Sequence, residues 1–169
     1  MTKLNFAETF KTMPILGSKD IVATATATNY VDLNLAEGMV ELAFNFGLIT
    51  STDSTGEAVV TIEASNVSDT TSSDLAEAAI AFQYRLSGAV GTDSMGAITA
   101  ATAAGVAVGQ ASDNVTLLVY VDPSAVATTS GARYIRGVVT PTAEVTSTVV
   151  GATARFIPRY AGNSMPSSF

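Results

Sequence analysis

The chain contains no cysteine, no histidine and no tryptophan, and only 14% of its 169 residues are charged. Without cysteine and histidine it lacks the commonest nucleophile, the side chain that titrates nearest neutral pH and the usual soft metal ligands. Most enzyme mechanisms and most metal sites are thereby excluded, so we expect no catalysis, no cofactor and no metal. The lack of cysteine also excludes a disulfide framework.

The few charged residues are unevenly distributed. The net charge is −7, and the segment from Asp20 to Asp122 holds 13 acidic residues against one basic residue, Arg85. The two ends together hold 2 acidic and 7 basic residues. An acidic body with basic ends suits docking on a complementary partner, or self-association. Because phosphates repel an acidic body, we expect no nucleic-acid partner.

Only 14% of the residues are charged and 47% are hydrophobic, so the surface must be covered largely by small neutral residues. Such a surface is typical of a protein packed against other proteins, because interface cores are depleted in charge. The one apolar run near the N-terminus is interrupted by Pro14 and Gly17, and no later run is long enough for a membrane span. We therefore expect a soluble chain made in a cytoplasm, with no cleaved signal and no membrane partner.

Alternation of apolar and polar residues predicts β-structure through most of the chain. The clearest run is DNVTLLVYVDP, where Val115, Leu117, Val119 and Val121 fall on one face of a strand. The ten predicted strands cover 21–27, 29–33, 39–49, 57–65, 78–87, 96–102, 115–121, 132–140, 144–150 and 153–160. Short strands at this spacing indicate an all-β fold, an antiparallel β-sandwich like a jelly roll.

The pattern predicts one β domain over residues 21–160, with an extended N-terminal arm at 1–20 and a C-terminal tail at 161–169. The arm has isolated apolar residues, such as Phe6 and Phe10, of the kind that anchor on a partner. One helical turn is predicted at 123–131, where Pro123 begins it.

Two similar turns, STDSTG at 51–56 and GTDSMG at 91–96, each lie between two apolar runs. Asp and Gly are turn formers, so both segments predict hairpins that join neighbouring strands. Asp53 and Asp93 are therefore interpreted as turn residues and not as metal ligands. The chain also lacks a nucleophile elbow, a phosphate-binding loop and a dinucleotide fingerprint.

The C-terminal third contains, in order, VTLLVYVDPSAV, GARYIRGVVT and VGATARFIPRYAG. In this order of segments, over about residues 113–162, the chain resembles the decoration, or cement, proteins of tailed-bacteriophage heads. The resemblance implies a non-enzymatic virion structural protein on the outer surface of an assembled capsid. Such a protein stabilises the shell by bridging neighbouring copies of the major capsid protein, and self-association as a dimer or trimer is consistent with it.

The candidate capsid contacts are the basic and aromatic residues of the two ends. They are Lys3, Phe6, Phe10, Lys11, Lys19, Arg133, Arg136, Arg155 and Arg159. In this hypothesis the basic ends face an acidic capsid surface, and the acidic body faces solvent. Strand alternation places Arg133 and Arg136 on opposite faces and Arg155 and Arg159 on the same face.

Two alternative functions remain open. A carbohydrate- or receptor-binding sandwich would expose several aromatic side chains on one face, and the candidates are Tyr30, Tyr84, Tyr120, Tyr134 and Tyr160. A shell-forming coat protein would assemble by itself. A cement protein should neither bind glycans as an isolated domain nor assemble alone, but should bind preformed capsids.

Overall fold

The computed structural model describes residues 10–73, 75–88, 94–109 and 114–159. The elements are β1 (Lys11–Ile21), β2 (Thr26–Ala27), β3 (Val31–Asp32), a 3₁₀ turn (Leu33–Leu35), β4 (Ala36–Ser51), β5 (Glu57–Ser65), β6 (Glu77–Ile80), β7 (Phe82–Leu86), β8 (Thr99–Ala101), β9 (Val106–Gly109), β10 (Thr116–Val121), α1 (Pro123–Ser130), β11 (Tyr134–Pro141) and β12 (Val145–Pro158). Lys3, Phe6 and the predicted tail at 161–169 lie outside the described residues.

The strands form two antiparallel sheets. The first sheet has the order β1-β12-β4-β10-β7-β8. The second has the order β2-β11-β5-β6, with β3 also paired to β11 and β9 also paired to β5. The prediction of an all-β antiparallel sandwich is confirmed.

The order of pairing is that of a jelly roll. Strands from the first half of the chain pair with later strands in reverse order: β1 with β12, β2 and β3 with β11, β4 with β10, and β5 with β6 and β9. These pairs alternate between the two sheets, which is how a jelly roll wraps an antiparallel ribbon into two layers. Within each sheet these pairs are joined side by side, β12 to β4 in the first and β11 to β5 in the second, and β7 followed by β8 extends the first sheet beyond β10.

The core lies between the inner faces of the two sheets. In β10 the predicted alternation is confirmed, because Leu117, Val119 and Val121 are buried and the residues between them are partly exposed. The largest fully buried side chains include Phe44, Leu42 and Ile49 of β4, Phe156 of β12, and Ile62 of β5. Because these side chains come from both sheets, their burial holds the two layers together.

The predicted boundary of the N-terminal arm is wrong for its second half. Residues from Lys11 onward form β1, which pairs with β12 along the edge of the first sheet. Met13 and Ile15 are buried in the core. The register of β1 shifts between Pro14 and Leu16 and again between Leu16 and Lys19, and these irregularities break the alternation by which a strand is recognised.

Two other predictions fail because the chain crosses between sheets. The predicted strand 78–87 is divided into β6 of the second sheet and β7 of the first, with Ala81 between them. The turn after β4 leads into β5, which lies in the other sheet, so this turn does not close a hairpin. By contrast, β7 and β8 are paired as predicted, and residues 89–93 between them lie outside the described residues.

The predicted helical turn is present and extends to eight residues, Pro123–Ser130. Asp122 precedes it and accepts hydrogen bonds from the backbone N–H and the hydroxyl of Ser124, at 2.9 and 2.7 Å. An acceptor at this position satisfies a donor that the first helical turn leaves unpaired.

Candidate functional site

A groove at one end of the second sheet brings together two arginines and two tyrosines, and we call it the Arg–Tyr groove: Arg133, Tyr134, Arg136 and Tyr30. Tyr134 and Arg136 are partly exposed on β11 and alternate with buried Ile135. Tyr30 precedes β3, which pairs with β11. The groove has a volume of about 710 Å³, and its other lining residues are Thr28, Asn29, Asp32, Leu35, Ser68 and Thr70.

The four side chains form one continuous stack. The guanidinium carbon of Arg133 lies 5.2 Å from the centre of the Tyr134 ring, and that of Arg136 lies 5.1 Å from the Tyr30 ring. The two rings meet edge to face, with their centroids 6.3 Å apart. These distances are within the range of cation–π and aromatic interactions, so each member of the stack positions its neighbour.

Carboxylates hold the arginine at each end of the stack. Arg133 donates to Asp32 in a bidentate pair, Nε to Oδ1 at 3.0 Å and Nη2 to Oδ2 at 2.6 Å. Arg136 donates through Nε to Glu63 at 2.9 Å and through Nη2 to Glu77 at 2.8 Å. The strand register explains both contacts, since Glu63 lies opposite Arg136 and Asp32 lies opposite Tyr134. The side chain of Arg136 is only 15% exposed, so its position is fixed.

The hydroxyl of Tyr30 completes this network by donating a hydrogen bond to Glu77. Burial raises the pKa of Tyr30 above its usual 10.0, and the hydrogen bond to Glu77 raises it further. The hydrogen bond to Asp32, together with that residue's charge, likewise raises the pKa of Arg133. Both shifts favour the protonated forms of Tyr30 and Arg133, which are the forms that donate these hydrogen bonds.

The sequence predicted a basic surface around Arg133 and Arg136, but the groove holds more carboxylates than arginines. Two arginines meet three carboxylates, Asp32, Glu63 and Glu77, so the ionised cluster has one negative charge in excess. The basic character that was expected of Arg133 and Arg136 is neutralised within the chain. An acidic partner surface is therefore not what this groove complements.

The other predicted contact residues are distributed over the molecule. Arg155 lies opposite Glu41 in the first sheet, pairs with it at 2.6 Å, and stacks over the ring of Phe10 at 5.6 Å. Lys11 follows Phe10 as the first residue of β1, whereas Lys19 is exposed near the other end of that strand.

Arg159 follows β12 and lines a second groove together with Arg133, beside Asp122 and Pro123. The structure thus places Arg133 near both Arg136 and Arg159, and Phe10 near Arg155, but it does not place all the described candidates on one surface.

Sequence reasoning missed how the groove is assembled. It placed Arg133 and Arg136 on opposite faces, yet both line the groove, because β11 begins at Tyr134 and Arg133 lies before the strand. Tyr30 and Asp32 come from a segment about a hundred residues earlier in the chain, and no local pattern links them to β11. The available signal was weak: Tyr30 and Tyr134 each lie near the start of a predicted strand, 29–33 and 132–140.

The four tyrosines that the structure describes do not form one aromatic face. Tyr30 and Tyr134 share the groove, Tyr84 packs against the core, and Tyr120 lies on the outer face of the first sheet. Tyr160 lies outside the described residues. A sugar-binding platform built from several exposed rings is therefore not present among the described tyrosines.

No group of three or more acidic side chains that could hold a metal ion occurs within the described ranges. In the same ranges, no helix is long and apolar enough to cross a membrane. What the groove provides is a set of planar side chains, two rings and two guanidinium groups, held in position by stacking and ion pairs.

No family model, no curated protein and no solved structure matches this chain. Its function is therefore inferred from the jelly-roll sandwich and the Arg–Tyr groove.

Proposed function

We propose that this protein is a non-enzymatic structural protein of a virion that binds the outer surface of an assembled phage capsid and stabilises it by bridging neighbouring capsid subunits. The observation that carries the proposal is the Arg–Tyr groove. Tyrosine and arginine are enriched among the residues that dominate binding energy at protein interfaces, and here four of them are stacked in one place. The jelly roll supports it further, because this fold recurs in virion proteins.

The groove is organised before any partner binds. Ion pairs fix both arginines, and the stacking fixes both rings, so little side-chain freedom is lost on association. The side chain of Arg133 is still 49% exposed, which leaves part of its guanidinium accessible to a partner. Rigid, partly exposed aromatic and guanidinium groups are what an interface hot spot requires.

The partner surface that fits this groove is neutral or weakly basic. The groove has one excess negative charge, so a strongly acidic capsid surface would be repelled. This replaces the expectation that basic ends of the chain face an acidic shell. Stabilisation of the shell then follows from linkage, because a ligand that binds only the assembled lattice lowers the free energy of that lattice. Many copies acting over one shell would multiply the effect.

The test is co-sedimentation of the full chain with expanded, undecorated capsids of tailed phages, followed by heating of the capsids with and without it. We expect saturable binding and a higher melting temperature of the bound capsid. Tyr134→Ala should weaken binding by roughly 30-fold, since removing a hot-spot side chain costs about 2 kcal/mol. Tyr120→Ala is the matched control, because Tyr120 is partly exposed on the other sheet, and it should bind as the wild type does.

Two outcomes would contradict the proposal. If the chain alone assembles into closed shells, it is a coat protein. If it binds no capsid but is retained on a glycan array, the groove is a sugar site. The second outcome is disfavoured physically, because Arg133 and Arg136 each cover one face of the tyrosine rings on which a sugar would stack.

A further inference from the structure

The edge of the first sheet formed by β8 is open and uncharged. On one side β8 pairs with β7, where Ala100 lies opposite Gln83. On its other side no strand of the described ranges is paired with it. The segment 94–109, which contains β8, has no charged residue. The edge therefore presents backbone N–H and C=O groups with no charged side chain of its own to keep another strand away; a described charge close to this segment is Arg85 of β7, which donates a hydrogen bond to Gly96 at 2.8 Å.

The opposite edge of the same sheet shows how such an edge is protected. There β1 contains Pro14, two register irregularities, and the charged residues Lys11 and Lys19. Proline, bulges and lysine are the features by which natural edge strands avoid pairing with other chains. β8 has none of them, so the two edges of one sheet are built differently.

Apolar side chains accompany this open edge. Ile98 is 58% exposed immediately before β8, and Met95 is 36% exposed slightly earlier. Thr99 and Ala100 are also exposed. An edge that combines free backbone groups with exposed apolar side chains offers both hydrogen bonds and apolar contact to an incoming strand.

We propose that the β8 edge pairs with β8 of a second copy of this chain, antiparallel and about a twofold axis at Ala100, so that the two first sheets join into one. The charge distribution supports a second copy as the occupant. Two molecules of net charge −7 repel each other, and the uncharged segment around β8 is where close approach costs least. Twofold antiparallel pairing also makes the contact isologous, with Ile98 of each copy opposite Thr102 of the other. This pairing does not depend on capsid binding.

A cysteine cross-link tests the register directly, because the natural chain has no cysteine. In an antiparallel pair centred on residue 100, the two Cβ atoms would be about 5 Å apart, which small movements bring within disulfide range. We expect Ala100→Cys to form a covalent dimer under mild oxidation. Thr12→Cys, at an exposed position on the protected β1 edge, should remain monomeric. Cross-linking to the same extent at both positions would overturn the proposal.

Sedimentation velocity tests the association itself. The mass of the wild-type protein should rise from that of one chain to that of two with increasing concentration. Ala100→Lys, which places a charge at the edge, should weaken association at least tenfold, whereas Thr12→Lys should not change it. A wild-type protein that stays monomeric throughout, or a folded Ala100→Lys variant that dimerises normally, would overturn the proposal.

Discussion

Gly137 shows how one residue controls the contact between the two sheets. It lies in β11, and a Cβ atom placed there would be 2.3 Å from the tip of the Phe44 ring, which comes from the other sheet. Phe44 is fully buried, so its ring has little room to move away. The hydroxyl of Thr28 also accepts a hydrogen bond from the backbone N–H of Gly137, at 3.0 Å. Glycine is needed here for close approach, and not for an unusual backbone conformation.

We expect Gly137→Ala to lower the free energy of unfolding by about 2 kcal/mol, because an added methyl group overpacks a filled core. The control is Gly17→Ala in β1, where the new Cβ would meet nothing within 4 Å. That substitution should change stability by less than about 0.5 kcal/mol. Urea unfolding of the two variants beside the wild type measures both effects, and equal stabilities for the two variants would contradict the packing argument.

At the scale of single elements, one turn motif occurs three times in the part of the chain that the structure describes. Asp53, Asp69 and Asp122 each accept a backbone N–H and a hydroxyl hydrogen bond from the residue two positions later, at 2.9 and 2.7 Å. These hydrogen bonds lower the pKa of each carboxyl below its usual 3.8. For Asp53 and Asp122 the hydrogen bond from the hydroxyl contributes most, and for Asp69 the hydrogen bond from the backbone N–H contributes most. The turns are thus stabilised by the ionised form of aspartate.

Acid should therefore weaken these turns in a defined range of pH. A carboxyl whose pKa is lower in the folded state contributes stability that is fully present above its unfolded pKa, near 3.8, and is lost as the pH falls through its folded pKa. We expect a variant with asparagine at all three positions to lose less stability than the wild type between about pH 4 and about pH 2. Urea unfolding at a series of pH values measures this difference. Parallel profiles would show that the turns do not contribute.

At the scale of the whole molecule, two surfaces of different character are kept apart. The Arg–Tyr groove belongs to the second sheet, and the β8 edge belongs to the first. Three of the chain's eight basic residues, Arg133, Arg136 and Arg155, bind carboxylates of the same chain. Their charges therefore help to hold neighbouring strands in position.

Because the two surfaces are separate, their proposed roles should separate on mutation. We expect Tyr134→Ala to dimerise like the wild type while it binds capsids weakly. Ala100→Lys should bind capsids with the affinity of a single chain. It should lose only the increase in apparent affinity that dimerisation gives, since two linked sites bind more tightly than one. Sedimentation velocity of both variants measures dimerisation, and co-sedimentation with capsids measures binding. Loss of both properties in either variant would mean that the two surfaces are not independent.

Strand content was predictable from the sequence where alternation is regular. β5 and β10 lie where the pattern placed them, because a half-buried strand needs an apolar residue at every second position. β1 was missed, since its irregular register hides that period. Asp53 was identified correctly as a turn residue, because its hydrogen bonds reach only two positions along the chain.

The sequence by itself determined that this protein is a weakly charged β-sandwich, since which side of a strand is buried depends on local alternation. Only the tertiary structure decided which strands pair, how the chain changes sheets at Ala81, and that Arg133 and Arg136 line one groove. The groove depends on contacts between distant segments, such as Arg136 with Glu63, which are 73 positions apart. Local periodicity contains no information about such partners, because any exposed carboxylate on a neighbouring strand would satisfy the same arginine.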